Sequence, residues 1–174
     1  MAKLNLVLVE PEIPQNTGNI ARTCAATGTE LILVEPLGFS LADKYLKRAG
    51  MDYFRMVDMR VVPDFETVLK EYPNGKFHFA STKAPRAYTE AVYGKDDLLV
   101  FGSESRGLPE NMLSKRYEDC IRIPMRAEAR SLNLSVSAAV VLFEALRQQD
   151  FQGLCATGAL TGREEKTAPW LDYL

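Results

Sequence analysis

Short, continuously apolar segments alternate with helical segments along most of this chain. Strands without a polar face need helices on both sides, an arrangement typical of mostly parallel α/β sheets. The 174 residues suffice for one well-cored domain and are few for two. We therefore predict one α/β domain over residues 1–154. Its predicted strands are Leu4–Val9, Leu31–Val34, Val61–Val62, Phe77–Ala80, Leu98–Phe101 and Ile121–Ile123.

Helical patterns fill the spaces between these strands. Asp64 follows Pro63 and is a plausible N-cap for the third predicted helix. After Gly153 the periodicity ends, so residues 155–174 are expected to form a tail that packs loosely or on a partner subunit. The predicted helices are Asn16–Thr27, Leu41–Ala49, a segment from Asp64 through Glu71, and Leu132–Gln149.

Composition excludes several classes of protein. No apolar run approaches the roughly 20 residues of a membrane span, and the N-terminus lacks the pattern of a signal peptide, so we expect a cytoplasmic protein with no membrane partner. The three cysteines are odd in number and widely spaced, which argues against a disulfide framework. With one histidine and no close cysteine pair, we expect no metal site.

The charge of the chain does not exclude a nucleic-acid partner. The net charge of −2 and a pI near 5.6 disfavour one overall. Basic residues are nevertheless grouped, and a local patch can neutralise phosphates because charges beyond about 10 Å are screened. Solvated helix faces would give the same pattern. The groups are Lys44, Lys47 and Arg48; Lys115 and Arg116; and Arg122, Arg126 and Arg130.

Three loops at the ends of predicted strands carry the chemistry. The first, EPEIPQNTGNIARTC, spans residues 10–24, and Asn16, Thr17 or Gly18 can start a helix there that carries Arg22. A helix N-terminus with free amide donors suits a phosphate or ribose oxygen, although Asn16 as a simple cap and Arg22 as a surface residue are equally natural. The other two loops, FGSESRGLPENML and IRIPMRAEARSLNLSVSAAVVLFEAL, follow strands as well. Open α/β sheets bind ligands at such strand ends.

Together these segments resemble the three motifs of the SPOUT RNA 2′-O-methyltransferases, and are most similar to the small YibK/TrmL-type members. The resemblance covers residues from about 4 to 154. It implies a parallel α/β sheet with a C-terminal deep trefoil knot, which pattern alone does not indicate because knots are rare. It also implies methyl transfer from S-adenosylmethionine to the ribose of the wobble nucleotide of tRNA, position 34, a cytidine or modified uridine.

Family motifs imply which residues hold the cofactor. Absent side chains at Gly102 and Gly107 would let the backbone approach a ligand closely. For Ile123 and Leu134, core packing is an alternative that does not exclude contact. The implied cofactor residues are Ala80, Gly102, Gly107, Ile123, Met125, Ser131, Leu132 and Leu134.

Arg22 is the expected centre of catalysis. A guanidinium group cannot readily accept a further proton, so we expect Arg22 to clamp a phosphate and orient the hydroxyl rather than act as a base. Glu104 has two open interpretations, as an acceptor for substrate or Arg22, or as an ion-pair partner of Arg106. Ser131 and Asn133 precede the long helix, and either is a candidate N-cap. The expected catalytic set is Arg22, Asn16, Glu104, Ser131 and Asn133.

Partners follow from the same resemblance. We expect the anticodon stem-loop of tRNA as substrate, with ribosomal RNA methylation or non-catalytic RNA binding as alternatives. The long helix has a wide apolar stripe, which predicts a homodimer. The stripe comprises Val136, Ala139, Val140, Phe143 and Leu146, widened by Val141, Leu142 and Ala145.

Overall fold

A computed structural model describes residues 3–41 and 56–159. Within them the chain forms one seven-stranded sheet in the order β3-β2-β1-β6-β4-β7-β5, and every strand pairing is parallel. The predicted parallel α/β class is confirmed, while the knot stays a prediction. The strands are β1 Asn5–Val9, β2 Glu30–Val34, β3 Met59–Val62, β4 Phe77–Ala80, β5 Arg86–Ala87, β6 Leu98–Phe101 and β7 Cys120–Arg122.

Strand order brings the chemically interesting loops together. Strand β6 lies between β1 and β4, with Leu8 opposite Phe101 and Phe79 opposite Val100. Strand β7 pairs with the other edge of β4. Because parallel strands end at one edge of a sheet, the loops after β1, β4, β6 and β7 lie side by side.

Alternate strand residues pack into two cores on opposite faces of the sheet. Leu6 and Leu8 belong to the core between the sheet and the first and last of the four described α-helices. Val7 and Val9 belong to the core on the opposite face, which the second and third helices cover. Strands that are buried on both faces have no need of polar alternation, which explains their continuous apolar sequence. The described helices are α1 Pro14–Thr27, α2 Phe65–Glu71, α3 Glu110–Lys115 and α4 Leu134–Gln148.

Two helix starts differ from the sequence-based prediction. Helix α1 begins at Pro14 rather than at Asn16, Thr17 or Gly18, because proline fits the first turn, where its missing N–H is not needed. Helix α4 begins two residues after the predicted Leu132. The predicted Asp64 cap is confirmed, since its carboxylate accepts the backbone N–H of Thr67 at 2.7 Å.

Other predictions have different outcomes. Strand β5 and helix α3 were not predicted, because two and six residues are too few to show a period. The predicted helix Leu41–Ala49 lies, apart from Leu41, outside the described residues, as does the chain from residue 160 onward. None of the described helices has the length and apolar character required to cross a membrane.

Candidate active site

A cavity of about 580 Å³ opens where the four neighbouring loops meet. The loop after β1 contributes Ile13, and the loop after β4 contributes residues 81–83. Residues 102–108 after β6, together with residues 123, 125 and 130–133 before α4, complete the walls. The volume lies in the range of small-molecule sites, and the position is the one expected for an open parallel sheet.

All eight predicted cofactor residues line this cavity. They are Ala80, Gly102, Gly107, Ile123, Met125, Ser131, Leu132 and Leu134. The buried walls are apolar at Phe101, Leu108 and Ile121. Such a mixture of apolar surface and exposed loop backbone suits a nucleoside-like ligand.

Four of the five predicted catalytic residues line the same cavity, namely Asn16, Glu104, Ser131 and Asn133. Arg22 lies elsewhere, exposed on α1 and outside the residues that line the cavity. The structure therefore brings polar groups of all three motifs together and leaves Arg22 outside the cavity walls.

A continuous hydrogen-bond network joins the three motifs. Asn16 is 6% exposed, donates from Nδ2 to Glu104 Oε1 at 2.9 Å, and accepts from Asn133 Nδ2 at 3.0 Å. Asn133 in turn caps α4, because its Oδ1 accepts the N–H groups of Ser135 at 2.9 Å and Val136 at 3.3 Å. Of the two predicted N-cap candidates, Asn133 is correct. Asn16 is a link between loops rather than a cap.

Glu104 is directed to the start of α1. Its carboxylate accepts the backbone N–H of Glu12 at 2.8 Å and of Ile13 at 3.2 Å, in addition to the Asn16 amide. Helix α1 has no acidic residue in its own first turn, so Glu104 supplies the negative charge that this helix end favours. The interpretation of Glu104 as an ion-pair partner of Arg106 is wrong, because Arg106 Nη2 lies 3.4 Å from Glu10 Oε2 instead.

The two loop glycines are needed for different reasons. A Cβ on Gly102 would lie 2.1 Å from the carbonyl carbon of Gly107 and 2.2 Å from the nitrogen of Leu108. Gly102 thus permits the loop to pack against itself, and the expected close approach of a ligand to its backbone stays a prediction. Gly107 has φ of +69° with open space around it, so glycine is favoured there by backbone conformation.

Basic side chains surround the opening, and several have local partners. Lys83 pairs with Glu110, and Arg122 donates to the carbonyl of Thr82. Arg130 is exposed and also lines the cavity. These charges favour an anionic ligand such as a nucleic-acid phosphate.

Sequence reasoning missed several cavity residues. Ser81, Thr82 and Lys83 follow β4, and their sequence, STK, carries no recognisable motif. Ser105, which lines the cavity, and its hydrogen-bond partner Glu12, which does not, were also missed, although both lie within the quoted motifs. Only the adjacency of β1 and β6 reveals that these two residues meet.

Other titratable groups lie apart from the cavity. His78 Nε2 and Asp97 Oδ2 form a buried pair at 2.7 Å, and neither residue lines the cavity. Burial raises the pKa of the Cys24 thiol to about 12, which makes it a core residue rather than a nucleophile. Among residues 3–41 and 56–159, no three His, Cys, Asp or Glu side chains are grouped as metal ligands.

Comparison with known proteins identifies relatives over most of the chain. Residues 3–143 match the SpoU rRNA methylase family. A protein of Methylovorus glucosotrophus named tRNA (cytidine(34)-2'-O)-methyltransferase is 48% identical over 150 residues, which cover 86% of this chain and 97% of the relative. A protein of Burkholderia cenocepacia with the same name is 48% identical over 152 residues, with coverage of 86% and 97%.

Solved structures agree with these sequence matches. One, from work on 2-OH methylation of C/U34 on tRNA, has a TM-score of 0.82 at 45% identity and covers 86% of this chain and 97% of that one. An AdoMet-bound rRNA methyltransferase from Sinorhizobium meliloti has a TM-score of 0.74 at 26% identity. That match covers 83% of this chain and 56% of the larger protein.

Proposed function

The chain belongs to the SpoU rRNA methylase family, and from that premise we propose that it methylates the ribose 2′-hydroxyl of nucleotide 34 in tRNA, using S-adenosylmethionine. The nucleotide is a cytidine or modified uridine in the anticodon loop, and the enzyme works in the cytoplasm. The observation that carries this proposal is the 48% identity to relatives named tRNA (cytidine(34)-2'-O)-methyltransferase, over nearly their whole length.

The cavity fits the proposed cofactor. Its volume of about 580 Å³ and its apolar walls at Phe101, Ile121 and Ile123 suit a nucleoside, and exposed polar groups near Ser131 suit an amino-acid moiety. We assign cofactor contacts to the eight residues named above as lining it. When bound, S-adenosylmethionine supplies an activated methyl group. No metal is needed for that transfer.

The residues of this chain position the reactants. The Glu104–Asn16–Asn133 network fixes the loop after β1 relative to the start of α4. Ser131 is exposed and lies at the cavity wall, two residues before Asn133, where its hydroxyl is available to the ribose. Preorganised groups of this kind accelerate a transfer by holding the hydroxyl in line with the methyl donor.

Arg22 holds the RNA phosphate next to the reacting ribose. A guanidinium cannot accept a further proton near neutral pH, so the proton of the hydroxyl passes to a phosphate oxygen or to water. Because Arg22 is exposed on α1 and does not line its own cavity, we propose that it acts at the cavity of a second subunit.

The exposed apolar face of α4 supports the proposal of a homodimer. Val136 is 49% and Phe143 is 47% exposed, and both lie on the predicted stripe. Leu146, also predicted there, is 8% exposed and belongs to the core with Val141 and Leu142. The exposed part is therefore narrower than predicted, and a second copy of the chain would cover it.

Cofactor binding is tested by calorimetry with S-adenosylhomocysteine in the presence of a chelator. We expect saturable one-site binding to the wild type without metal. Arg22→Ala should bind within about twofold of the wild type and lose at least about 100-fold in methyl transfer, because Arg22 contacts RNA rather than cofactor. Equal loss of both properties would contradict this role.

Ribosomal RNA is the second candidate substrate, because the matched family carries that name and the Sinorhizobium meliloti relative acts on rRNA by name. Transfer of labelled methyl from S-adenosylmethionine to purified tRNA and to ribosomal RNA separates the two. The tRNA proposal fails if only ribosomal RNA is labelled.

The dimer is tested by sedimentation at low micromolar protein. We expect twice the monomer mass of 19.4 kDa. Phe143→Asp should yield monomers without methyl transfer, since a buried unpaired charge opposes association. Glu144→Asp, at the next position of the same helix, is the matched control and should remain dimeric. An active wild-type monomer would refute the dimer.

A further inference from the structure

We propose that Glu12 is a positioning residue, whose carboxylate holds Ser105 and thereby sets the place of the loop at residues 102–108, which we call the cofactor loop. The inference rests on the proposed function, since that loop forms one wall of the cavity assigned to the cofactor. Glu12 follows β1 and is separated from the cofactor loop by about ninety positions of sequence.

Contacts between the two loops run in both directions. The Glu12 carboxylate accepts the backbone N–H of Ser105 at 3.0 Å and its hydroxyl at 2.7 Å, one on each oxygen. In return, the Glu104 carboxylate accepts the backbone N–H of Glu12 at 2.8 Å. Each loop therefore provides a carboxylate to the backbone of the other, which fixes both their separation and their register.

Contacts within the cofactor loop hold its residues together as one unit. Gly107 donates its N–H to the carbonyl of Ser103 at 2.8 Å, which closes the loop on itself. Gly102 packs directly against Gly107 and Leu108 at the loop base. A shift of Ser105 would consequently move the whole segment against the cavity rather than one side chain.

The backbone that carries Glu12 is itself held in place. Gly38 donates its N–H to the carbonyl of Pro11 at 2.9 Å. A Cβ at Gly38 would lie 2.7 Å from the Cα of Glu12, so the two segments touch without room for a side chain. Glu12 thus extends from a restrained backbone, as a positioning residue must.

The charge state of the Glu12 carboxylate favours strong hydrogen bonds. The bonds from Ser105, helped by nearby Arg106, hold the pKa of Glu12 below its ordinary value. Glu12 is therefore ionised at neutral pH, where N–H and O–H donors bind a carboxylate more strongly than a neutral acceptor.

Calorimetric titration of S-adenosylhomocysteine into single and double variants tests the proposal. We expect Glu12→Ala to weaken binding about tenfold and Ser105→Ala about threefold, with melting temperatures within about 2 °C of the wild type. The double variant should bind no more weakly than Glu12→Ala, because Glu12→Ala already removes both hydrogen bonds from Ser105, including the hydroxyl bond that Ser105→Ala removes. Ser105→Thr retains the hydroxyl and should restore wild-type affinity. Glu66→Ala, an exposed carboxylate on α2, is the control.

Kinetics provide a second readout that a general loss of structure would not give. The cofactor KM should rise in Glu12→Ala, while kcat at saturating cofactor stays within about threefold. If Glu12→Ala fails to fold, the Ser105→Ala and Ser105→Thr pair decides alone. Wild-type affinity in folded Glu12→Ala, or additive effects in the double variant, would overturn the proposal. A wild-type protein that binds no cofactor would overturn the proposed function, and this inference with it.

Discussion

Replacing Asn133 with alanine tests whether the hydrogen-bond network beneath the cavity also stabilises the fold. Its Oδ1 caps α4 through the N–H groups of Ser135 and Val136, and its Nδ2 donates to Asn16. Alanine removes all of these bonds at once. Serine at the same position retains a cap but does not reach Asn16, so Asn133→Ser separates the two effects.

The expected loss comes from two sources. Removing an asparagine cap costs about 1 kcal/mol of unfolding free energy. Leaving the Asn16 Oδ1 without its donor costs about 1 kcal/mol more, at the low end of the usual range because Asn16 lines the cavity and water can enter. For a chain of this size, about 2 kcal/mol lowers the melting temperature by about 4–8 °C.

Urea denaturation followed by circular dichroism measures this loss. Asn133→Ala should be destabilised by about 2 kcal/mol and Asn133→Ser by about 1 kcal/mol. Ser131→Ala is the matched control two residues away and should change stability by less than about 0.5 kcal/mol. Equal stability of Asn133→Ala and the wild type would refute the network, and equal loss in the alanine and serine variants would refute the contribution of Asn16.

Three further changes test other parts of the structure. Gly102→Ala should destabilise by about 3 kcal/mol or more and abolish cofactor binding in calorimetry, because its Cβ would overlap the backbone of Gly107. Gly107→Ala should cost only about 1 kcal/mol in the same urea assay, because φ is positive but space is open. The Asp97 pKa is raised by burial but lowered further by hydrogen bonds from His78 and Gly94, so that it lies below its ordinary value. Its carboxylate therefore stabilises the fold above about pH 4 and loses that effect as the pH falls through the lowered pKa. Unfolding free energy should consequently fall less between pH 7 and pH 3 in Asp97→Asn, and an unchanged acid dependence would contradict this.

Local sequence predicts the central strands well because they are buried on both faces. The predicted bounds of Phe77–Ala80 and Leu98–Phe101 are confirmed to the residue. Local sequence does not predict the order of these strands in the sheet, since β4 pairs with β6 and β7, which lie further along the chain. Pairing of distant strands depends on packing that no local period records.

The candidate site was predictable where motif residues point into the cavity, as at Ala80 and Ser131. It was not predictable where two loops meet. The partner of Glu104 is the start of α1, ninety residues earlier, and the cap of α1 carries no side-chain signal because Ile13 occupies that position. Gly102 likewise lies at the cavity as predicted, but the close contact with Gly107 that requires glycine there is visible only in the structure.

Locating the methyl group that the purified protein adds tests the proposed function most directly. Unmodified tRNA with cytidine at position 34 is incubated with S-adenosylmethionine, digested with ribonuclease and sequenced by mass spectrometry, with Arg22→Ala as the inactive control. We expect one added methyl group, on the ribose of nucleotide 34. A methyl group on a base, at another position, or only on ribosomal RNA treated in parallel would contradict it.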